Sequence, residues 1–336
     1  MFLITGGAGY IGSHCVLKLL QEGQEVVIFD NLSTGHIETI NQLKSLDLRG
    51  EIVDFIQGDL KNPSDINKVF EKYNIDAVVH FAAFSQVGES VVNPSKYFQN
   101  NVSGSLNLLD AMIAHGVKRI VFSSTAATYG EPKYTPIDEK HPQTPINPYG
   151  ETKLMVEKIM DNFDKAYGLK SVRLRYFNVV GADENSQIGE WHEPETHLVP
   201  NILKSAVNFE KTFYMFGDDY ATKDGTCVRD YIDVNDLISA HILALKYLLN
   251  GGETTFFNLG TKSGYTVKEV FKACENICGK NISLEVKPRR EGDPAILVAD
   301  NEKALNLLGW KPSRTLLDSV KSAWDWERKL SKICKL

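Results

Sequence analysis

The stretch that most restricts the fold is Phe2-Leu3-Ile4-Thr5-Gly6-Gly7-Ala8-Gly9-Tyr10-Ile11-Gly12 at the N-terminus. Its first four residues are apolar or β-branched and predict a buried strand; the glycines predict a tight turn, and Ile11 to Leu20 carries the apolar spacing of a helix. Gly7, Gly9 and Gly12 satisfy a G-x-G-x-x-G pattern, preceded by Gly6. Backbone N–H groups of such a turn can approach a pyrophosphate at the helix N-terminus, where the helix dipole favours negative charge. The next strand, Glu25 to Phe29, ends in Asp30, at the roughly twenty-residue offset of a carboxylate that binds ribose hydroxyls. An acid there repels a 2′-phosphate, and no arginine follows in Asn31-Leu32-Ser33-Thr34-Gly35, so the pattern predicts NAD rather than NADP.

Strand-like runs recur at Ile52 to Gln57, Asp76 to Phe81, Arg119 to Ser123 and Ser171 to Phe177, with helical stretches between them. That alternation predicts an α/β fold, a Rossmann-type doubly wound parallel sheet. Ligands of such sheets sit beyond the strand ends, where Asp59 and Leu60 follow the third strand and Phe81, Ala82 and Ala83 the fourth. Beyond Phe177 the rhythm loosens: a long polar segment, Gly181 to His197, precedes mixed short elements. We expect a nucleotide-binding domain over 1–178 and a smaller mixed α/β lobe over 179–336, with some returning segments joining the first.

A net charge of −6 gives no global basic field, so no nucleic-acid partner is expected. No apolar run approaches bilayer length and the first strand begins at Phe2, which together predict a cytoplasmic protein without a cleavable leader or membrane partner. Five cysteines, an odd and sparse set, fit free thiols better than a disulfide framework. Cys274 and Cys278 lack nearby histidines, and His192 and His197 follow no metal-binding pattern, so no metal is expected and the two histidines are assigned solvated or capping roles.

In Asn147-Pro148-Tyr149-Gly150-Glu151-Thr152-Lys153, Asn147 suits an N-cap and Pro148 the first helical position, which puts Tyr149 and Lys153 on one helix face. A neighbouring ammonium, joined by an oxidised nicotinamide, would favour the phenolate and make Tyr149 a base for a hydroxyl proton. The pair taken alone reads as a solvated helix face. Upstream, Ser123-Ser124-Thr125-Ala126-Ala127-Thr128 places small hydroxyls at the end of the fifth strand. Arg229, beside Asp230, reads by itself as half of a surface ion pair.

Together these motifs resemble the extended short-chain dehydrogenases/reductases. Val87-Gly88-Glu89-Ser90, Leu174-Arg175-Tyr176-Phe177-Asn178, Asp224 to Tyr231 and Arg289-Arg290-Glu291-Gly292-Asp293 narrow the resemblance to the UDP-glucose 4-epimerase family, from Phe2 to about Leu330. The resemblance implies reversible NAD-dependent C4 epimerisation of UDP-glucose and UDP-galactose through a 4-keto sugar that turns over and takes back the same hydride. It implies Tyr149 as base, Lys153 on the nicotinamide ribose and Thr125 on the reacting hydroxyl. Tyr10, Ile11, the Asp30 to Gly35 turn, Asp59, Leu60, Phe81, Ala82, Ala83, Asn100 and Phe177 fall at cofactor positions. Asn178, His197, Leu198, Tyr214, Met215, Phe216, Arg229, Arg290 and Asp293 fall at UDP positions, and Leu297 at a gate beside the sugar. Family members are usually homodimers, which makes Pro94 to His115 and Asn147 to Tyr167 candidate interface helices.

Some positions depart from the family pattern. Ser85 and Asp233 stand where well-known members carry Lys and His, and Trp191 to His197 resembles a subgroup that includes pentose-acting epimerases. UDP-N-acetylglucosamine or UDP-xylose/UDP-arabinose epimerisation stays open as the alternative. A 4,6-dehydratase needs an acid/base pair where Ala126 and Ala127 stand, and a non-catalytic NAD-binding regulator would not need both Tyr149 and Lys153.

Overall fold

The computed structural model describes residues 1–208, 211–290 and 293–333, so Glu291 and Gly292 of the Arg289–Asp293 motif lie outside the described residues. The chain forms two units: one of residues 1–131, 142–175 and 238–257, the other of 132–141, 176–237 and 258–336.

The first unit is organised by the strands β1 (Phe2–Thr5), β2 (Val26–Asp30), β3 (Ile52–Gln57), β4 (Ala77–His80), β5 (Arg119–Thr125) and β6 (Lys170–Tyr176). Strand Thr255–Leu259, which the sequence pattern did not assign to the sheet, pairs beyond β6 to complete the seven-stranded order Thr255–Leu259, β6, β5, β4, β1, β2, β3. The pairings β1–β2, β1–β4, β2–β3 and β4–β5 are parallel, with Ile4 in register with both Ile28 and Val79. Strand order reverses between β1 and β4, and the crevice outside the C-terminal ends of strands at such a switch point is where open α/β sheets take ligands. Alternate residues of the strands (Leu3, Val27, Phe29, Val78, Ile120 and Phe122) bury against Leu108, Leu109, Met112, Val156 and Met160. Burial on both faces explains why these strands read as continuous apolar runs rather than alternating ones.

In the second unit, strand Val228–Asp233 pairs antiparallel with Gly264–Thr266 and parallel with Ile296–Leu297 and Asn178–Val180. A separate parallel pair joins Phe213–Phe216 to Leu284–Lys287. Helices Leu198–Val207, Val267–Cys278 and Leu316–Ile333 share a core containing Ile202, Leu203, Val270, Phe271, Val320 and Trp324. Cys15, Cys227, Cys274 and Cys278 are free thiols, three of them buried; Cys334 lies outside the described residues. Among the described residues, no helix is long and apolar enough to cross a membrane.

Candidate active site

The glycine turn leads from β1 into helix Tyr10–Gln21, whose N-cap is Gly9, with no acid in its first turn. An added Cβ at Gly12 would stand 2.1 Å from the Gly6 carbonyl oxygen, and one at Gly6, where φ is +75°, 2.6 Å from the Ala82 nitrogen. Both positions therefore exclude side chains, so a ligand can come close to the backbone at a positive helix end. Tyr10 is buried and Ile11 half-buried at that end.

Asp30, at the end of β2, is nearly buried; its Oδ2 accepts from the Ala8 amide at 3.0 Å and its Oδ1 from the Leu32 amide at 2.8 Å. Burial pushes its pKa up, against these backbone donors. Leu32 takes a left-handed φ of +59°, and the Asn31 carboxamide oxygen accepts from the Ser33 amide at 3.0 Å. Gly35 packs so closely on Ala8 that a Cβ would meet it at 2.8 Å; Thr34 beside it is exposed. Asn31 Nδ2 donates to Asp59 at 3.3 Å, and Leu60 beside Asp59 is buried. The Phe81 and Ala82 amides both donate to the Thr5 carbonyl, at 2.9 and 3.1 Å, which fixes the exit of β4, Ala83 included, beside the glycine turn. Asn100 lies in a π-helical segment, Phe98–Ser103, and donates to Asn101 Oδ1 at 3.0 Å; such wide turns often mark functional sites.

Helix Pro148–Tyr167 starts as expected: Asn147 Oδ1 accepts from the Gly150 amide at 2.8 Å. A Cβ on Gly150 would stand 2.5 Å from the Ala127 carbonyl, so the glycine lets this helix dock on the short turn Ala126–Thr128 that ends β5. Docking buries Tyr149 and Lys153, and a hydrogen bond from Thr125 favours the Tyr149 phenolate. Burial outweighs it, holding the phenol at about 12. Lys153 Nζ donates to the Ser123 carbonyl at 2.8 Å and lies 4.7 Å above the Phe122 ring, and burial draws its pKa down to about 7. In the protein alone, desolvation of both groups dominates their electrostatics.

Sequence reasoning missed two groups. Glu157 continues the Tyr149, Lys153 face by another turn and accepts from Arg175 Nε and Nη2 (2.9 and 2.5 Å) and Ser124 Oγ (2.5 Å), entirely buried. Its spacing, four residues beyond Lys153, was the available signal. His80 lies between Thr5 Oγ1 (2.6 Å) and Ser105 Oγ (2.9 Å), and burial lowers its pKa to about 3, so it is a neutral link below the turn; nothing in its local sequence marked it.

In the second unit, Arg229 donates to Asp293 Oδ1 at 2.5 Å, whereas the buried Asp230 accepts from Thr261 and Ala299; the expected Arg229–Asp230 pair is corrected, because successive strand residues point to opposite faces. Leu297 stands in register with Arg229, and Asn178 with Tyr231. The Arg290 guanidinium lies 4.1 Å from the Phe216 ring centre. Tyr214 is exposed while the Met215 side chain is core, so only the Met215 backbone remains for a ligand. Phe177 is half-buried just after β6. Leu198 opens helix Leu198–Val207; His197, its N-cap, makes no side-chain capping bond and turns its ring to Glu190, which corrects the capping assignment. Ser85 is exposed, and the buried Asp233 accepts from Ser319 Oγ at 2.8 Å and the Asn235 amide at 2.8 Å.

The family model for GDP-mannose 4,6 dehydratase matches residues 3–323. The chain is 52% identical to the UDP-glucose 4-epimerase of Lacticaseibacillus casei over 96% of this chain and 95% of that one, and 49% identical to that of Halalkalibacterium halodurans over 97% and 95%. The chain belongs to the UDP-glucose 4-epimerase family. A solved structure of a member of the family, from Bifidobacterium longum in complex with NAD+ and UDP, matches with a TM-score of 0.92 at 40% identity, covering 98% of both chains. The dehydratase in the family model's description does not carry over to the chemistry here, since Ala126 and Ala127 occupy the turn after β5 where that reaction needs an acid/base pair.

Proposed function

We propose that the chain interconverts UDP-glucose and UDP-galactose by reversible C4 epimerisation with NAD, in galactose metabolism. The observation that carries the reading is the buried Tyr149 beside the Thr125 hydroxyl at the end of β5, with Lys153 one turn along the same helix. The glycine turn fits the cofactor pyrophosphate, because side chains are sterically excluded there and the turn opens onto a helix N-terminus with no acid in its first turn; Asp30 fits the adenosine ribose. NAD, when bound, takes up and returns the C4 hydride.

Thr125 holds the C4 hydroxyl while Tyr149 takes its proton; Lys153 anchors the nicotinamide ribose, and its charge, near neutrality of ionisation, stabilises the developing phenolate. The resulting 4-keto sugar must rotate about the pyrophosphate so that C4 offers its opposite face to the returning hydride, while Tyr149 gives the proton back to the C4 oxygen. That demands strong nucleotide anchoring and weak sugar contacts, so that binding energy is not spent on one epimer. Arg229 and Arg290 suit the pyrophosphate through their guanidinium forks, with Asp293 orienting Arg229 and Asn178, His197, Leu198, Tyr214 and Phe216 completing the nucleotide's surroundings. Leu297, one rung from Arg229, sets the room beside the sugar. We further propose a homodimer through the helices of 94–115 and 147–167, which carry the exposed apolar residues Leu106, Met155 and Tyr167.

The test is purified protein offered UDP-galactose, UDP-N-acetylgalactosamine and UDP-arabinose, with the product sugars separated chromatographically. Conversion of the first supports the reading, conversion only of another moves the substrate, and inactivity on all three overturns it.

A further inference from the structure

The polar segment before helix Leu198–Val207 folds two histidines and two glutamates onto one point, of which only His197 has been given a role above. His192 Nδ1 lies 3.2 Å from Glu190 Oε1 and 3.8 Å from Glu195 Oε1. His197 Nδ1 lies 3.7 Å from Glu195 Oε1 and in hydrogen-bond contact with Glu190 Oε1. One atom from each of the four residues falls within 4.8 Å of all the others. A tetrahedral zinc with bonds of about 2.0–2.1 Å spaces its ligand atoms about 3.3 Å apart, so most of these separations are already near a coordination polyhedron and only the Glu190–His197 contact has to open.

We propose that Glu190, His192, Glu195 and His197 form a structural zinc site. Three independent features point to an ion rather than to a surface ion-pair cluster. Both carboxylates are almost fully removed from solvent, with side chains 5% and 3% exposed, and a buried carboxylate needs either a metal or a strong partner. Glu195 Oε1 is held by the Thr196 and His197 amides at 2.8 and 2.9 Å, the kind of supporting bond that orients a ligating oxygen, while Oε2 is buried without a hydrogen bond and only 3.7 Å from Lys204 Nζ. The two imidazoles meet edge to face at 5.2 Å between centres, turning their Nδ1 atoms inward together.

The chemistry of the set favours zinc: two imidazoles and two carboxylates match its nitrogen and oxygen preferences, and four protein ligands leave no open position for a substrate. The four residues Glu190, His192, Glu195 and His197 lie within one short segment, so the set is assembled by local folding rather than by a recognisable sequence pattern. A dication there would fasten the segment to the start of helix Leu198–Val207 and so fix His197 and Leu198.

The experiment is zinc titration of the full-length protein after chelator treatment, followed by metal analysis, beside His192→Ala and Glu195→Gln. The expected result is one zinc per chain, with at least about 100-fold weaker binding in each variant, beyond the 10–100-fold that lost supporting contacts cost. Cobalt(II) substitution of the unmodified protein gives a readout that does not depend on the variants folding: tetrahedral visible absorption without thiolate charge-transfer bands supports the site. Thiolate bands, absence of stoichiometric zinc, or equal binding by a folded His192→Ala protein would overturn it.

Discussion

Replacing Glu157 by Gln keeps the shape and removes one charge from a buried cluster. In the native protein that carboxylate receives hydrogen bonds from Ser124, twice from Arg175 and, at 3.5 Å, from Gln143, and Arg175 also reaches the Tyr129 hydroxyl at 2.9 Å. The pair is inside, so its rupture leaves a guanidinium without a counter-ion in a medium that cannot hydrate it. Breaking such a pair costs about 3–5 kcal/mol. At roughly 2–4 °C per kcal/mol for a domain of this size, the melting temperature followed by circular dichroism should fall by about 6–20 °C. Asp161→Asn is the internal control: Asp161 binds the buried Arg173 at 2.5 Å but is itself half exposed, and Arg173 keeps backbone acceptors at Glu157 and Thr255, so its loss should cost less than that of Glu157. Glu157 also holds the pKa of Lys153 up against burial, and the mechanism uses Lys153 charged, so the variant should shift the alkaline limb of the activity profile to lower pH. A Glu157→Gln protein that melts within about 2 °C of the parent, or no more below it than Asp161→Asn, would refute the assignment of this cluster as a buried, mutually dependent unit.

Gly12→Ala should abolish NAD binding measured by calorimetry, since the new methyl collides with the Gly6 carbonyl; affinity within about threefold of the parent would contradict the close-packed turn. Tyr149→Phe should lower turnover by about 10²–10⁴-fold while UDP affinity stays within about threefold, as expected for loss of a proton-transfer group alone. Because burial raises the Tyr149 pKa from its ordinary 10 to about 12, the folded state favours the protonated phenol; that stability is present below pH 10 and lost as pH rises towards 12. Denaturant unfolding of the parent and of Tyr149→Phe across that window should therefore converge as pH rises, and parallel curves would exclude the shift. Arg229→Ala should weaken UDP binding by about 10–100-fold, the value of a charged hydrogen bond, and Asp293→Asn should weaken it less; an unchanged UDP affinity in Arg229→Ala would remove it from the nucleotide's surroundings.

The parts of the fold written in local signals were legible. Period and composition located β1 to β6, and the Asn147-Pro148 start of the Tyr149 helix needs only its own residues. Strand Thr255–Leu259 was not legible as part of the sheet, because its place beyond β6 is set by a chain reversal more than seventy residues after β6 begins, a non-local event that leaves no periodic trace. The Tyr149–Lys153 pair was visible from spacing, yet its electrostatics was not: how deeply helix Pro148–Tyr167 docks is decided by Gly150 against Ala127, and that depth makes desolvation the larger effect. Arg229 failed for a simpler reason. Adjacency in sequence suggested Asp230, whereas adjacency across strands supplied Asp293.

Asp30 ties two turns with one carboxylate, Ala8 on one oxygen and Leu32 on the other. A protein engineer seeking to recruit a phosphorylated dinucleotide by exchanging that acid for a neutral or basic residue would sever the brace between the glycine turn and its neighbour in the same stroke. Redox-partner preference and loop architecture are thus inherited as one trait, and altering the first requires rebuilding the second around Gly35 and Ala8, which leave no space for a longer side chain between them.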